Sequence, residues 1–596
     1  MKSLKDIIAL CLVPLAFTAC VDANMEQELD PKNNYQTVND ADNVVLGAYA
    51  SFLKLGKQMV VLNELRGDLV DVTTNASTDL QQINSKSPDA NNQYADPTPF
   101  YTVIMNCNDA LSNFDKMKEK GTLTDDEYKE LYSDMTGLRC YTYLQLGVQF
   151  GNVPYITKPL NTIADVKAVA EKQATVPLDT LISYLIKDME SLYTNIGSGA
   201  LDSYQNSDLV QYTLDGYSLK TSFVNKHLLL GDLYLWNEDY TKAGIEYYKV
   251  LGRDDGESAT GNYLYYRCNS QTTNSSLVFG TGSYFQILYL RYHEDDINSM
   301  GNFWVNMFQD LPQNKPYIYE WVWSIPYDVD FKPTFPFTSL FNPVSDGGNY
   351  QLMASSYAVD SLWNNQKQTN GFNYDARGEG SSFLKQSDGT YAIRKYKYRA
   401  DEDAKNEGNL FLYRAGQIHL RYAEAANRAG YPKVAWALLN NGVQSTFNYS
   451  TAKDGSEKFI SGWGPNNYYP APWYLDARFD TDLNIRSPWR YNQGIRGRAC
   501  LESRSLSNIK SIDIVDNKTD SAHVIEQYLL DESALECGFE GSRWFDLVRI
   551  AHRLNKEGLD GGAFLTKRLA GKYSRSSTAA PTYTKDESTW FLKFKW

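Results

Sequence analysis

The stretch SFVNKHLLLGDLYLWNEDYTKAGIEYYKVL, residues 222–251, constrains the fold more than any other part of the chain. Its apolar residues recur at three- and four-residue spacing in two runs, 222–236 and 239–251, joined by a tight turn. That period marks two amphipathic helices rather than strands. Leu230, Leu233, Tyr234, Tyr240, Ala243 and Tyr247 fall at interface-like positions, aromatic beside small, as in a tetratricopeptide-type hairpin.

The same plan returns elsewhere. FLYRAGQIHLRYAEAANRAGYPKVAWALLNNGV (411–443) carries Leu420, Tyr422 and Ala425, a Gly430–Pro432 turn, then Val434, Ala437 and Leu438. A third pair spans 98–151, where Thr124 and Glu127 have capping-box spacing and Gly151 and Pro154 end the second helix. A fourth hairpin falls near 525–553, and DADNVVLGAYASFLKL (40–55) reads as one more helix behind an Asp-rich start. One hairpin cannot bury its own apolar face, so these pairs should stack into a curved, mainly α scaffold. Between them lie long irregular segments at 72–97, 255–350, 361–390 and 445–500, with one strand-like alternation in IYEWVWSIPYD (318–328). Loops of that length in a folded domain usually carry function.

The chain begins MKSLKDIIALCLVPLAFTAC, with two lysines, an apolar run from Ile7 to Phe17 and small residues before Cys20. The apolar run is too short to cross ~30 Å of hydrocarbon and reads as a signal peptide, residues 1–19. FTAC resembles a bacterial lipobox, which makes Cys20 the lipidated residue and 20–35 an acidic tether; no other segment reads as a span. The remaining cysteines (107, 140, 268, 500 and 537) form no CxxC pair, and the five histidines form no HExxH. Neither a disulfide framework nor a zinc hydrolase is expected. A formal charge of −14 argues against a nucleic-acid partner, since phosphate neutralisation needs clustered Lys and Arg.

With the hairpins and the N-terminus in place, the ordered pieces FTAC, NVVLGAYASF, LNELRGDLVD, YTVIMNCNDAL, RCYTYLQLGVQFGNVPYI, EWVWSIPYD, IHLRYAEAANRAG and ALECGFEGSRWFDLVRIA resemble the SusD/RagB family. These are outer-membrane nutrient-binding lipoproteins of Bacteroidetes. The chain departs from the family in an aromatic-rich insertion near 445–510 and in its closing TWFLKFKW. The resemblance implies one SusD-like domain over 36–596 and no catalytic activity. It also implies a lid role on a SusC-like TonB-dependent transporter, at the cell surface and held by lipid. A glycan is the ligand expected first. A peptide or other nutrient, as in the RagB branch, is the alternative, with a secreted glycoside hydrolase the reading from another class.

The hydrolase reading turns on ESALECGFEGSRWFDLVR (532–549), where Glu532, Glu536 and Glu540 sit four residues apart. Read as one amphipathic helix, it gathers those carboxylates with Arg543 and Asp546 within about 120° of one face. Carboxylates on one wall cannot flank a glycosidic bond from opposite sides. Ion pairs of Arg543 with Glu540 and Asp546 are expected instead. TGSYF (281–285) lacks a phosphate cradle. DGGNY (346–350) and DDINS (295–299) offer oxygen ligands that allow a structural Ca²⁺ without matching an EF loop; no cofactor is expected.

Sugar recognition needs an aromatic face beside amides or carboxylates. Candidate ligand-binding residues are Asn75, Asp79 and Tyr94 in the 72–97 loop, Tyr284 and Trp304, and Phe331 and Phe335. The insertion, with Trp463, Tyr468, Tyr469, Trp473, Tyr474 and Trp489, reads either as packing or as an added binding face.

Overall fold

Lys226–Trp236 and Tyr240–Leu251 form the hairpin that their spacing predicts. Asn225 caps the first helix through its side chain, and Gly231 leaves room for the Tyr247 ring, whose Cε1 lies 2.7 Å from where a Cβ would stand. The computed structural model describes residues 35–594 apart from 173, 203, 205–208, 210–212, 215–216, 252–303, 305–306, 309–319, 329–331, 370, 397–406, 448–468, 476–478, 481–484, 487–488, 490–491 and 506–518. Cys20, the signal segment, the tether up to residue 34, Tyr284 and Phe331 therefore lie outside the described residues.

The chain divides into two units. One comprises the chain up to Gly56, Ala95–Tyr212 and Phe591 onward; the other comprises Lys57–Tyr94 and Thr213–Trp590. The helix Val38–Leu65 contains the boundary. By length and hydropathy this helix passes for a membrane span, contrary to the sequence expectation, yet 56% of its apolar window is buried inside the protein.

In the first unit Thr98–Glu119 and Asp125–Phe150 form an antiparallel pair. Thr124 accepts the Glu127 N–H while the Glu127 carboxylate accepts the Thr124 N–H at 2.7 Å, so the capping box is complete. The helix stops at Gly151, whose φ of +71° and close approach to the Phe591 ring both exclude a side chain. A third helix, Leu178–Ser191, turns Leu181, Ile182, Leu185, Ile186 and Met189 inward, with Leu181 set against Gly147.

In the second unit Ala415–Arg428 pairs with Pro432–Leu439, and both pack beside Thr519–Cys537. Residues 411–414, expected at the start of a helix, instead belong to the strand Gly408–Arg414, antiparallel to Trp321–Tyr327. The alternation expected in the latter is absent, because six of its seven residues are buried. Trp321 packs on Phe411, and the Trp323 indole donates to Ser222 O, so both faces are covered. The remaining sheets among the described residues are likewise two-stranded.

Residues 532–549 are not one helix. Thr519–Cys537 ends and Arg543–Lys556 begins anew, with Phe539 and Gly541 at φ of +75° and +86° in the break. Glu64 is the physical reason: its carboxylate accepts N–H groups from Phe539, Gly541 and Ser542 at the new helix start. The expected ion pairs shift accordingly. Arg543 grips Asp68 and Glu540 turns to Lys395 and Arg414, while Asp546 pairs with Arg549 along the helix.

Candidate functional site

The carboxylates of Thr519–Cys537 lie in a buried ionic lattice. Glu536 Oε1 accepts from Arg414 Nη1 at 2.8 Å and Arg498 Nη2 at 2.6 Å, and its Oε2 accepts from Arg377 Nη1 at 2.7 Å. Glu532 is held by Arg377 at 2.7 Å and Arg496 at 2.8 Å, and Glu320 by Arg414 and Arg498. Asp375 completes the ring on Arg377. Burial alone would raise the Glu536 pKa, but the guanidiniums of Arg498, Arg414 and Arg377 outweigh it and hold the carboxyl well below the usual range. Glu532 and Glu320 are lowered on the same balance, with burial opposed by their arginines. A general acid needs the opposite shift and a path to substrate. Glu532 and Glu536 are fully buried with their oxygens occupied, so this lattice ties elements together and offers nothing to a glycosidic bond. Sequence reasoning missed its cations; the one available signal was the alternation of Arg496 and Arg498 in GIRGR.

Three of the sequence candidates share one loop. The strand Val70–Val72 pairs with Leu352–Ala354 and delivers the chain to Thr73, which is fixed to Tyr350 O. Asn75 follows, exposed, its N–H donating to Thr73 Oγ1. Asp79 lies in the first turn of Thr78–Asn84, half-buried, and accepts from the Gln93 amide at 2.7 Å. Asn92 donates to Asp79 O and to Gln82 Oε1, and Gln82 in turn reaches Asp89 at 2.7 Å. Tyr94 is buried, with the Lys57 ammonium 5.9 Å from its ring centre. Burial, and then the charge of Asp79, push the Tyr94 hydroxyl up to about 12. The structure thus brings Asp79 beside Tyr94 under a surface of exposed Thr74, Asn75, Thr78, Gln81 and Asn91. These amides, hydroxyls and one carboxylate suit hydroxyl-rich ligands.

Trp304 and Phe335 do not join them. Trp304 is buried, its indole donating to Ser382 and its ring lying under Lys395 and Arg414. Phe335 is buried among Tyr327, Phe337 and Tyr396. Neither ring offers a face to solvent. In the insertion, Trp473 packs on Tyr422 and Tyr431 and Trp489 packs on His419, both buried; Trp463 and Tyr468 lie outside the described residues. Among the described residues no group of three or more His, Cys, Asp or Glu is placed to hold a metal ion; DDINS and TGSYF lie outside them.

No family model matches the chain. It is similar to SusD-like protein P2 of Formosa agariphila, 25% identical over 262 residues, or 43% of this chain and 47% of that protein. The match thus spans about half the length of that curated relative. Solved structures agree over far more of the chain. A SusD superfamily protein from Bacteroides vulgatus superposes with a TM-score of 0.56 at 15% identity, covering 94% of this chain and 96% of that one. Surface glycan-binding protein A from Bacteroides uniformis gives 0.53 at 17% identity, covering 93% and 96%. A SusD superfamily protein from Bacteroides thetaiotaomicron gives 0.53 at 14% identity, covering 90% and 98%. Those superpositions show that the chain has the fold of the SusD superfamily proteins, and its sequence is similar to a SusD-like protein over part of its length.

Proposed function

We propose that this protein is a cell-surface glycan-binding lipoprotein. It captures oligo- or polysaccharide and delivers it to a SusC-like TonB-dependent transporter, without breaking bonds. The observation that carries the reading is the match over more than nine-tenths of the chain to a protein described as surface glycan-binding. The polar 73–93 loop adds groups suited to sugar hydroxyls. The lattice around Glu536 buries the glutamates that the sequence spaces four residues apart, so Glu532 and Glu536 form no solvent-facing carboxylate pair. The lipobox-like FTAC supplies the anchor at Cys20, and tethering beside a transporter raises the effective concentration of weakly held ligand.

The full chain, expressed in a Bacteroidetes host fed labelled palmitate, tests the assembly. Label that vanishes in Cys20→Ala, together with a large β-barrel in the detergent pull-down, is the expected result. An unlabelled wild type, or a pull-down free of any barrel, would contradict the anchored, transporter-linked role.

A further inference from the structure

The helix Leu178–Ser191 of the first unit buries one face and presents Tyr184 on the other, 41% exposed. Large apolar side chains left outside a core need no explanation singly, but Tyr184 is not alone. Its ring lies 5.3 Å from that of Tyr155, tilted by 39°, and Tyr155 packs in turn on buried Tyr143 at 5.0 Å. The exposed ring is therefore the outer member of a fixed aromatic series. Asp188 stands four residues on, one turn along the same face.

The Asp188 carboxylate is held in an unusual way for a surface acid. Its Oδ2 accepts from Arg139 Nη2 at 2.8 Å and from the Tyr155 hydroxyl at 2.5 Å. Arg139 is buried and anchored by Asn108, to which its Nη1 donates at 3.0 Å. Among the described residues Asp188 Oδ1 accepts no hydrogen bond, and the side chain is 26% exposed. Two groups thus hold the partly exposed carboxylate through one oxygen and leave Oδ1 without a donor among the described residues, one turn from an exposed tyrosine. A carboxylate has about four acceptor sites, so Oδ1 can take two hydroxyl donors.

We propose that Tyr184 and Asp188 form a subsite for one uncharged sugar unit of a glycan, its ring stacked on Tyr184 and its hydroxyls donating to Asp188 Oδ1. This rests on the glycan-binding reading and deepens it by naming the ligand class at a place distinct from the 73–93 loop. An apolar ring face with a polar edge suits the C–H face of a sugar. The carboxylate accepts from hydroxyls and repels a uronate or sulfate ester, so the subsite selects neutral units. Both side chains stand on a rigid helix and the acceptor is oriented before ligand arrives, which lowers the cost of binding.

The test uses the mature full chain in native affinity gels containing xyloglucan, mannan, amylopectin or arabinan, and in parallel polygalacturonate or chondroitin sulfate. Tyr184→Ala should weaken binding to at least one neutral polysaccharide roughly tenfold, while Tyr184→Phe stays within about twofold of wild type. Both variants should melt with the wild type, since Tyr184 lies at the surface. Wild-type binding that Tyr184→Ala leaves unchanged on every polysaccharide would overturn the subsite and leave the glycan reading standing. Binding to the anionic polymers alone would overturn its neutral selectivity. A wild type retarded by none of the gels would overturn the glycan reading and the subsite together.

Discussion

Arg377 Nη1 donates to Glu536 Oε2 at 2.7 Å, and both side chains are fully buried. The two residues lie 159 positions apart, so this one bond closes a long loop onto the Thr519–Cys537 helix. Around it Asp375 and Glu532 pair with Arg377, and Arg414 and Arg498 pair with Glu536. Such a lattice need not outperform an apolar core in stability, but removing one member strands the rest.

Glu536→Gln should therefore destabilise the protein by about 3 to 5 kcal/mol at pH 7, because three guanidiniums lose their shared charge partner. Urea unfolding checks this. The folded pKa of Glu536 lies below its unfolded value, so its contribution is full above the unfolded pKa and is lost as pH falls through the acid range. The variant should show a shallower loss of stability below pH ~4.5 than the wild type.

Glu64 should act in the opposite sense. Burial raises its carboxyl to about 7, against the pull of backbone N–H groups from Gly541, Ser542, Phe539 and Arg543. The folded state then holds its proton where the unfolded chain has released it, so stability falls as pH rises from the unfolded value toward 7 and levels off above. Between pH 5 and 8 this amounts to about 2 to 3 kcal/mol. Glu64→Gln should remove that decline, measured as the difference in unfolding free energy at the two pH values.

Gly244 faces Trp473, whose Cη2 lies 2.2 Å from where a Cβ would stand, and Trp473 is buried. Gly244→Ala should cost about 1 to 3 kcal/mol and perturb the tryptophan fluorescence of the folded state. An unaltered stability would mean that the insertion does not pack on the Tyr240–Leu251 helix.

Thr124→Ala breaks a complete capping box at an exposed helix start and should cost about 1 kcal/mol. Thr124→Ser should restore most of it, read from thermal melts of both variants.

The helical hairpins were legible because their signals are local. Three- and four-residue spacing marked 222–251, and Thr124 with Glu127 marked a helix start that the structure reproduces bond for bond. The break at 538–542 was not legible, because its cause is Glu64, some 475 residues earlier in the chain. The burial of Trp304 and Phe335 was hidden for the same reason: aromatic residues in a long loop read alike whether they face solvent or Ser382 and Tyr396. Tyr184 and Asp188 went unnoticed because four-residue spacing on a polar helix face is common, and only Arg139 and Tyr155 make it particular.

The central claim is that this protein binds glycans and does not cleave them. Gel retardation on a polysaccharide panel, with reducing ends assayed from the same incubations, addresses both halves at once. Retardation by at least one glycan with no rise in reducing ends is the predicted result. Reducing ends that accumulate with wild type and cease with Glu536→Gln or Glu540→Gln would contradict it.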